Sequence, residues 1–214
     1  MKKLEKKILI LGGSGYIGRA INNFFPKKNI LSTYKNHKIK NSIYFDFEKT
    51  DINKILLQYP NIDKILILGG IVKFSEILKD KNKAYKINVK YLKKILSVIK
   101  KKNIVPIFFS SESVFNGKKG EYKEYDKPNP IFDYAKHKYE IEKYIIKNFR
   151  KYKILRISKV YDNNIKGGTL LVKWILQLKN KENIFCAEDN YFTPIHIDDV
   201  CKMTKKIISI KNSG

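Results

Sequence analysis

The sequence predicts an α/β fold, a doubly wound parallel sheet of the Rossmann kind, and three observations carry that expectation. Short apolar runs alternate with longer amphipathic ones along most of the chain, the pattern of repeated parallel β/α units. The first apolar run, Ile8-Leu9-Ile10-Leu11, leads directly into a glycine-rich turn, Gly12-Gly13-Ser14-Gly15. The length of 214 residues, 43% of them hydrophobic, suits one sizeable domain with a small appendage. The boundary is expected near residue 160, with 1–160 forming the sheet domain and 161–214 a small C-terminal region packed on it.

Taken in order, strands are expected at Lys7–Leu11, Asn29–Thr33, Ser42–Phe45, Lys64–Leu68, Ile104–Phe109 and Lys153–Ile157. Helices are expected at Gly15–Phe25, Asp51–Gln58, Ala84–Lys101, Phe132–Asn148, Leu170–Leu178 and Asp198–Ile208. Pro26 and Pro60 stand just past two of these helices, where a proline stops them. The polar stretch Gly117–Pro130 reads as a loop.

Composition narrows the function classes. The longest apolar run, Ile65 to Val72, is far too short to cross a bilayer, so no membrane role is expected. The four-residue apolar run after Met1-Lys2-Lys3 reads as a buried first strand rather than a signal peptide. Cys186 and Cys201 have neither metal-site spacing nor a disulfide framework around them, which fits a reducing cytoplasm. The net charge of +25 invites a nucleic-acid reading. Against it, arginine, the residue suited to bidentate phosphate and base recognition, occurs only at Arg19, Arg150 and Arg156. The lysines also form no single stripe. No nucleic-acid partner is expected, although a basic surface favours small anions.

The turn after the first strand is the first chemical signal. Gly12, Gly15 and Gly18 are spaced three apart, and Gly13, Gly15 and Gly18 also fit the tighter dinucleotide fingerprint. Residues without Cβ let the backbone N–H groups of Ser14, Gly15, Tyr16 and Ile17 and the helix N-terminus approach a pyrophosphate. An NAD-selective site commonly places an acid at the end of the second strand, on the ribose 2′-hydroxyl. No acid stands between Ile30 and Tyr44, and Lys35 is there to meet a 2′-phosphate, so NADP(H) is favoured over NAD(H). Asp46 and Phe47 follow the third strand, where they would reach adenine or serve as an ordinary strand end. Gly69-Gly70 closes the fourth strand and would let backbone lie close to a cofactor.

The second signal is Tyr134-Ala135-Lys136-His137-Lys138, which sets a tyrosine and a lysine four apart on one helical face. The spacing alone means little in so lysine-rich a chain, where it recurs at Tyr34 and Tyr139. Context chooses Tyr134. Its helix follows the fifth strand, whose end reads Ser110-Ser111-Glu112-Ser113, and ligands of doubly wound sheets sit at the carboxyl ends of strands. Ser111 and Tyr134 could thus meet one carbonyl oxygen, with Tyr134 as general acid and the Lys138 ammonium lowering its pKa. His37, His137 and His196 are scattered, and no metal site is expected. His137 is expected to point away from the site and His196 to pack at a strand end.

The block Ser110 to Gly117, then Tyr122, Glu124, Asp126, Pro128, Pro130, Tyr134, Lys138 and Glu142, resembles the dTDP-4-dehydrorhamnose reductase family of extended short-chain dehydrogenases. Asn88-Val89, Leu155-Arg156 and Thr193 to Asp199 also fall where that family's motifs would place them, so the resemblance runs from Ile8 to Val200. It implies NAD(P)H-dependent reduction of a keto group on a nucleotide-linked deoxysugar in polysaccharide synthesis. The implied catalytic set is Ser111, Tyr134 and Lys138, with Asn88 near the cofactor. The family usually carries Thr-Asp where this chain has Ser111-Glu112. Related dehydratases carry an acid at the position of Ser113, which argues against dehydration here. Family members continue beyond the helix near Asp198, so a small, partial substrate-binding region is expected, either as a reduced cap or as a truncated form. Residues 161–168 and 189–194 would then supply most sugar and nucleotide contacts. A sugar-nucleotide 4-epimerase and a non-catalytic NAD(P)-binding regulatory subunit are the alternatives. A homodimer is compatible with all three.

Overall fold

The computed structural model describes residues 5–164, 169–188 and 191–210. Its centre is a six-stranded parallel sheet in the order β3-β2-β1-β4-β5-β6. The strands are β1 (Lys7–Leu11), β2 (Ile30–Tyr34), β3 (Ser42–Tyr44), β4 (Ile62–Ile67), β5 (Val105–Ser111) and β6 (Lys153–Ile157). This is the doubly wound arrangement that the alternating pattern predicts.

The sheet forms as it does because its central strands are apolar on both faces. Along β1, Leu9 and Leu11 point into one layer with Ile65, Ile67 and Phe108, beneath α2 (Ile52–Gln58), α5 (Leu92–Lys101) and α6 (Asp133–Asn148). Ile8 and Ile10 point into the other with Leu66, Ile107 and Phe109, against α1 (Tyr16–Phe24) and α8 (Ile197–Ser209). That alternation follows from the two-residue period of a strand. Each helix offers one matching stripe: Ile141 and Ile145 on α6, and Val200 and Cys201 on α8, are buried. Ends are fixed locally. Asp51 caps α2 by accepting from the Asn53 N–H at 2.9 Å, and His196 Nδ1 accepts from the Asp198 N–H at the start of α8.

Several elements differ from expectation. The predicted helix over 84–101 is three pieces: α4 (Lys81–Tyr85), a π-helical segment (Lys86–Tyr91) and α5, preceded by an unpredicted α3 (Phe74–Lys79). β2 begins and ends one residue later than expected, and β4 runs from Ile62 rather than Lys64. A second, two-stranded parallel sheet pairs β7 (Val160–Tyr161) with β8 (Ile195–His196), and α7 (Leu170–Lys179) lies between them in sequence. No helix among the described residues is long and apolar enough to cross a membrane.

Candidate active site

The strand order reverses direction at β1, so the crossovers leave a crevice beyond the carboxyl ends of β1 and β4. There a cleft of about 1090 Å³ opens, bounded by the glycine turn, the ends of β2, β4, β5 and β6, and the start of α6. Its floor at one end is the turn. Thr33 on β2 fixes that turn: its hydroxyl accepts from the Gly12 N–H at 3.0 Å and donates to the Ile10 carbonyl at 2.9 Å, while its carbonyl accepts from the Ser14 N–H at 3.0 Å. Gly12 sits at φ +91°, and a Cβ there would meet the Gly69 nitrogen at 2.6 Å. A Cβ on Gly18 would collide with the Gly12 carbonyl. The first helix therefore lies flush against the turn, and its N-terminus carries no side-chain cap and no acid in its first turn. Free N–H groups at a positive helix end form a site for an anion.

Gly12, Ser14, Gly15, Tyr16, Ile17 and Gly18 all line this cleft, as do Phe47, Gly69 and Gly70. Lys35 lines it too, half-exposed at the end of β2, with its ammonium 2.8 Å from Asp46 Oδ2. Asp46 itself does not. It is buried behind Phe47, and its other oxygen accepts from the Glu48 N–H at 2.8 Å. Burial opposes its charge, but Lys35 and the backbone N–H groups of Glu48 and Lys49 outweigh that and hold its pKa below the ordinary range. Asp46 is thus held by Lys35 and the Glu48 N–H and stands off the cleft wall. Asn88 is also off the wall. Its side chain accepts from the Ile71 N–H and donates to the Ile71 carbonyl, both at 2.8 Å, which pins the loop after Gly70. The π-helical widening around Asn88 is the sort of local distortion that places a side chain off the regular helical register.

At the other end of the cleft Ser111, Tyr134 and Lys138 come together. Ser111 ends β5, and Tyr134 and Lys138 lie one turn apart at the start of α6. The Lys138 ammonium donates to the Phe109 carbonyl at 2.7 Å and lies 5.6 Å from the centre of the Tyr134 ring. Burial lowers the Lys138 pKa to about 8, against the opposing pull of Glu142. Burial and the charge of Glu112 push the Tyr134 hydroxyl up to about 12. The expected lowering by Lys138 is thus outweighed, first by burial of the hydroxyl and then by the charge of Glu112. Glu142 is fully buried beneath α6 in a bidentate pair with Arg156 of β6, Oε2 to guanidinium 2.8 Å. Arg156 also donates to the Glu124 carbonyl at 3.1 Å, which fastens the 117–130 loop to β6.

His137 lies off the cleft, buried against Tyr85 and Asn88, and His196 packs edge-on against Tyr161 in the small sheet. The expected sugar-contact segments fall partly outside the described residues, at 165–168 and 189–190. Among the cleft residues that escaped the sequence reading as site residues are Ser110, Glu112, Ser158 and Lys159. The last two immediately follow β6, so the rule that ligands sit beyond carboxyl ends of strands could have found them. The hydroxyls of Ser110 and Ser158 are covered and have no hydrogen-bond partner among the described residues. Unpaired buried hydroxyls at the edge of a cleft are chemically suited to a polar ligand. Together with the uncapped, acid-free start of α1, they fit a bound dinucleotide.

A parallel sheet with a glycine turn at one end of its cleft and a Ser-Tyr-Lys set at the other defines an enzyme of the short-chain dehydrogenase/reductase type. The chain belongs to the family described as RmlD substrate binding domain, whose model matches residues 6–213. It is 32% identical over 219 residues to an ADP-L-glycero-D-manno-heptose-6-epimerase of Brachyspira hyodysenteriae, covering 90% of this chain and 69% of that protein. It is 24% identical over 208 residues to a dTDP-4-dehydrorhamnose reductase of Aggregatibacter actinomycetemcomitans, covering 94% of this chain and 67% of the relative. Among solved structures, it superposes on a dTDP-4-dehydrorhamnose reductase of Bacillus anthracis in complex with NADP with a TM-score of 0.81. That match has 22% identity and covers all of this chain and 74% of the other.

Proposed function

We propose that this protein reduces a keto group on a nucleotide-linked deoxysugar, with NADP(H) favoured over NAD(H). The observation that carries the reading is the convergence of Ser111, Tyr134 and Lys138 on the cleft that the glycine turn closes. The B. anthracis structure holds NADP, and the A. actinomycetemcomitans relative is a reductase, which supports both the cofactor and the reaction class.

The N–H groups at the start of α1 hold the pyrophosphate, and the glycines at 12, 15 and 18 shape the turn that brings that helix end to it. Lys35 meets the 2′-phosphate, exchanging part of its pairing with Asp46. A nicotinamide bound at the Ser111 end supplies the hydride. Tyr134 gives its proton to the carbonyl oxygen as that oxygen becomes an alcohol, and Ser111 hydrogen-bonds the same oxygen as charge builds. Lys138 contributes its ammonium to the ribose and to the phenolate that Tyr134 becomes. The sugar-nucleotide end is held by residues from 161 onward.

One observation favours a second reading, a sugar-nucleotide epimerase: the 32% identical relative is a heptose 6-epimerase. Stoichiometry separates the two. Incubation with a panel of keto-sugar nucleotides should consume NADPH mole for mole with product. Isomerised substrate with no net oxidation would replace the reductase reading by the epimerase one. Tyr134→Phe should bind NADPH as the unmodified protein does and turn over about 10²–10⁴-fold more slowly. Equal rates would remove Tyr134 from the reaction.

A further inference from the structure

Ser111 carries one hydroxyl proton and two lone pairs, and in this structure all three are engaged. Its Oγ lies 3.1 Å from Glu112 Oε2, to which it donates. It accepts from the Ser113 N–H at 3.3 Å, and the Ser113 hydroxyl lies 2.5 Å away. A carboxylate can only accept, so while Glu112 is charged it keeps the Ser111 proton. A serine in that state has no proton for a substrate oxygen. Protonated Glu112 reverses the direction of the bond: its O–H donates into Ser111 Oγ, the Ser113 hydroxyl turns its own proton elsewhere and gives up that lone pair, and the serine proton is released toward the cleft.

We propose that Glu112 is a positioning residue whose protonation switches Ser111 from a group tied to its neighbour into the hydrogen-bond donor for the substrate carbonyl. This rests on the reading of Ser111 as that donor. The groups facing Glu112 act in a consistent way. Ser111 and Ser113 come from its own segment, Tyr134 from α6 and Lys159 from the residue pair after β6, and all of them line the same cleft. Burial raises the Glu112 pKa, opposed by its own backbone N–H, the Ser111 hydroxyl and the Lys159 charge, and the net direction is upward. The same carboxylate raises the Tyr134 pKa, so its neutralisation also makes Tyr134 a stronger acid. Both effects favour reduction at the lower end of the working pH range.

Two measurements on the whole chain test this. In protein carrying ¹³C-carboxyl glutamate, with the Glu112 resonance assigned by its loss in Glu112→Gln, Glu112 should titrate above the ordinary carboxylate value of about 4.3. Ser111→Ala should move it higher still, because the lost O–H donor had favoured the carboxylate. In turnover of a keto-sugar nucleotide with NADPH, kcat/KM should fall at least about tenfold as pH rises through that titration, the loss of about 1.4 kcal/mol of transition-state stabilisation. Glu112→Gln, whose amide donates to Ser111 at every pH, should lose this fall. A Glu112 titration unmoved by Ser111→Ala, or a Glu112→Gln profile that falls over the same window, overturns the proposal. If the unmodified protein turns over no keto-sugar nucleotide, the substrate reading fails and the ¹³C titration alone decides the Glu112 question.

Discussion

Lys138 shows how a residue's surroundings decide its chemistry. Its ammonium lies between the Phe108 ring, 4.7 Å from the ring centre, and the Phe109 carbonyl, with little water to stabilise the charge. Its pKa in the fold is about 8, against about 10.4 for the unfolded chain. Between those values the unfolded chain binds more protons than the folded one, so this residue's contribution to stability increases as pH rises from about 8 to about 10.4. Lys138→Met should therefore gain most over the unmodified protein below pH 8. The gap in unfolding free energy should narrow by about 3 kcal/mol by pH 10.5, and parallel denaturation curves across that range check it. At this scale the sequence was informative wherever sterics or position fixed the outcome. Gly12 and Gly18 were legible because a Cβ has no room there. Tyr134 was separable from Tyr34 and Tyr139 because it follows the fifth strand. The local pairing of Asp46 and Asn88 was not legible, because a residue's position in the chain says little about which local groups will capture its side chain. Glu48 and Lys35 take Asp46, and Ile71 takes Asn88.

At the scale of elements, the strands were legible because they are apolar on both faces, and α6 because its buried residues recur with helical period. The π-helical segment was not. Its apolar residues Ile87 and Val89 read as a continuation of the flanking helices, and nothing local marks the change of hydrogen-bond partner. The β7–β8 pair was equally hidden, since two strands of two residues, separated by α7, leave no periodic trace. The π segment has a definite task, to bring Asn88 against the loop after β4. Asn88→Ala would leave the Ile71 N–H and carbonyl without their partner. A loss of about 1 kcal/mol of stability is expected, with a higher KM for NADPH and little change in kcat. Unchanged KM together with unchanged stability would show that the loop holds itself.

Across the whole molecule, the sheet places two sites at opposite ends of one cleft, and the helix layers mainly keep them there. α8 packs against α1 through Val200, Cys201 and their neighbours, so a segment far along the chain steadies the helix whose N-terminus faces the cleft. The buried Glu142–Arg156 pair does the same at the catalytic end, joining α6 to β6 and to the 117–130 loop. We propose that the first turn and α1 form a dinucleotide cradle that ends beside Ser111 and Tyr134. Thermal unfolding with and without NADPH tests it most directly. At about 100 times its Kd, a ligand that binds only the folded state stabilises by about 2.7 kcal/mol, so saturating NADPH should raise the unfolding midpoint by a few degrees. In Gly12→Val, whose side chain would collide with the Gly69 backbone and force the turn out of shape, the shift should vanish. A midpoint that NADPH leaves unmoved in the unmodified protein would contradict the account.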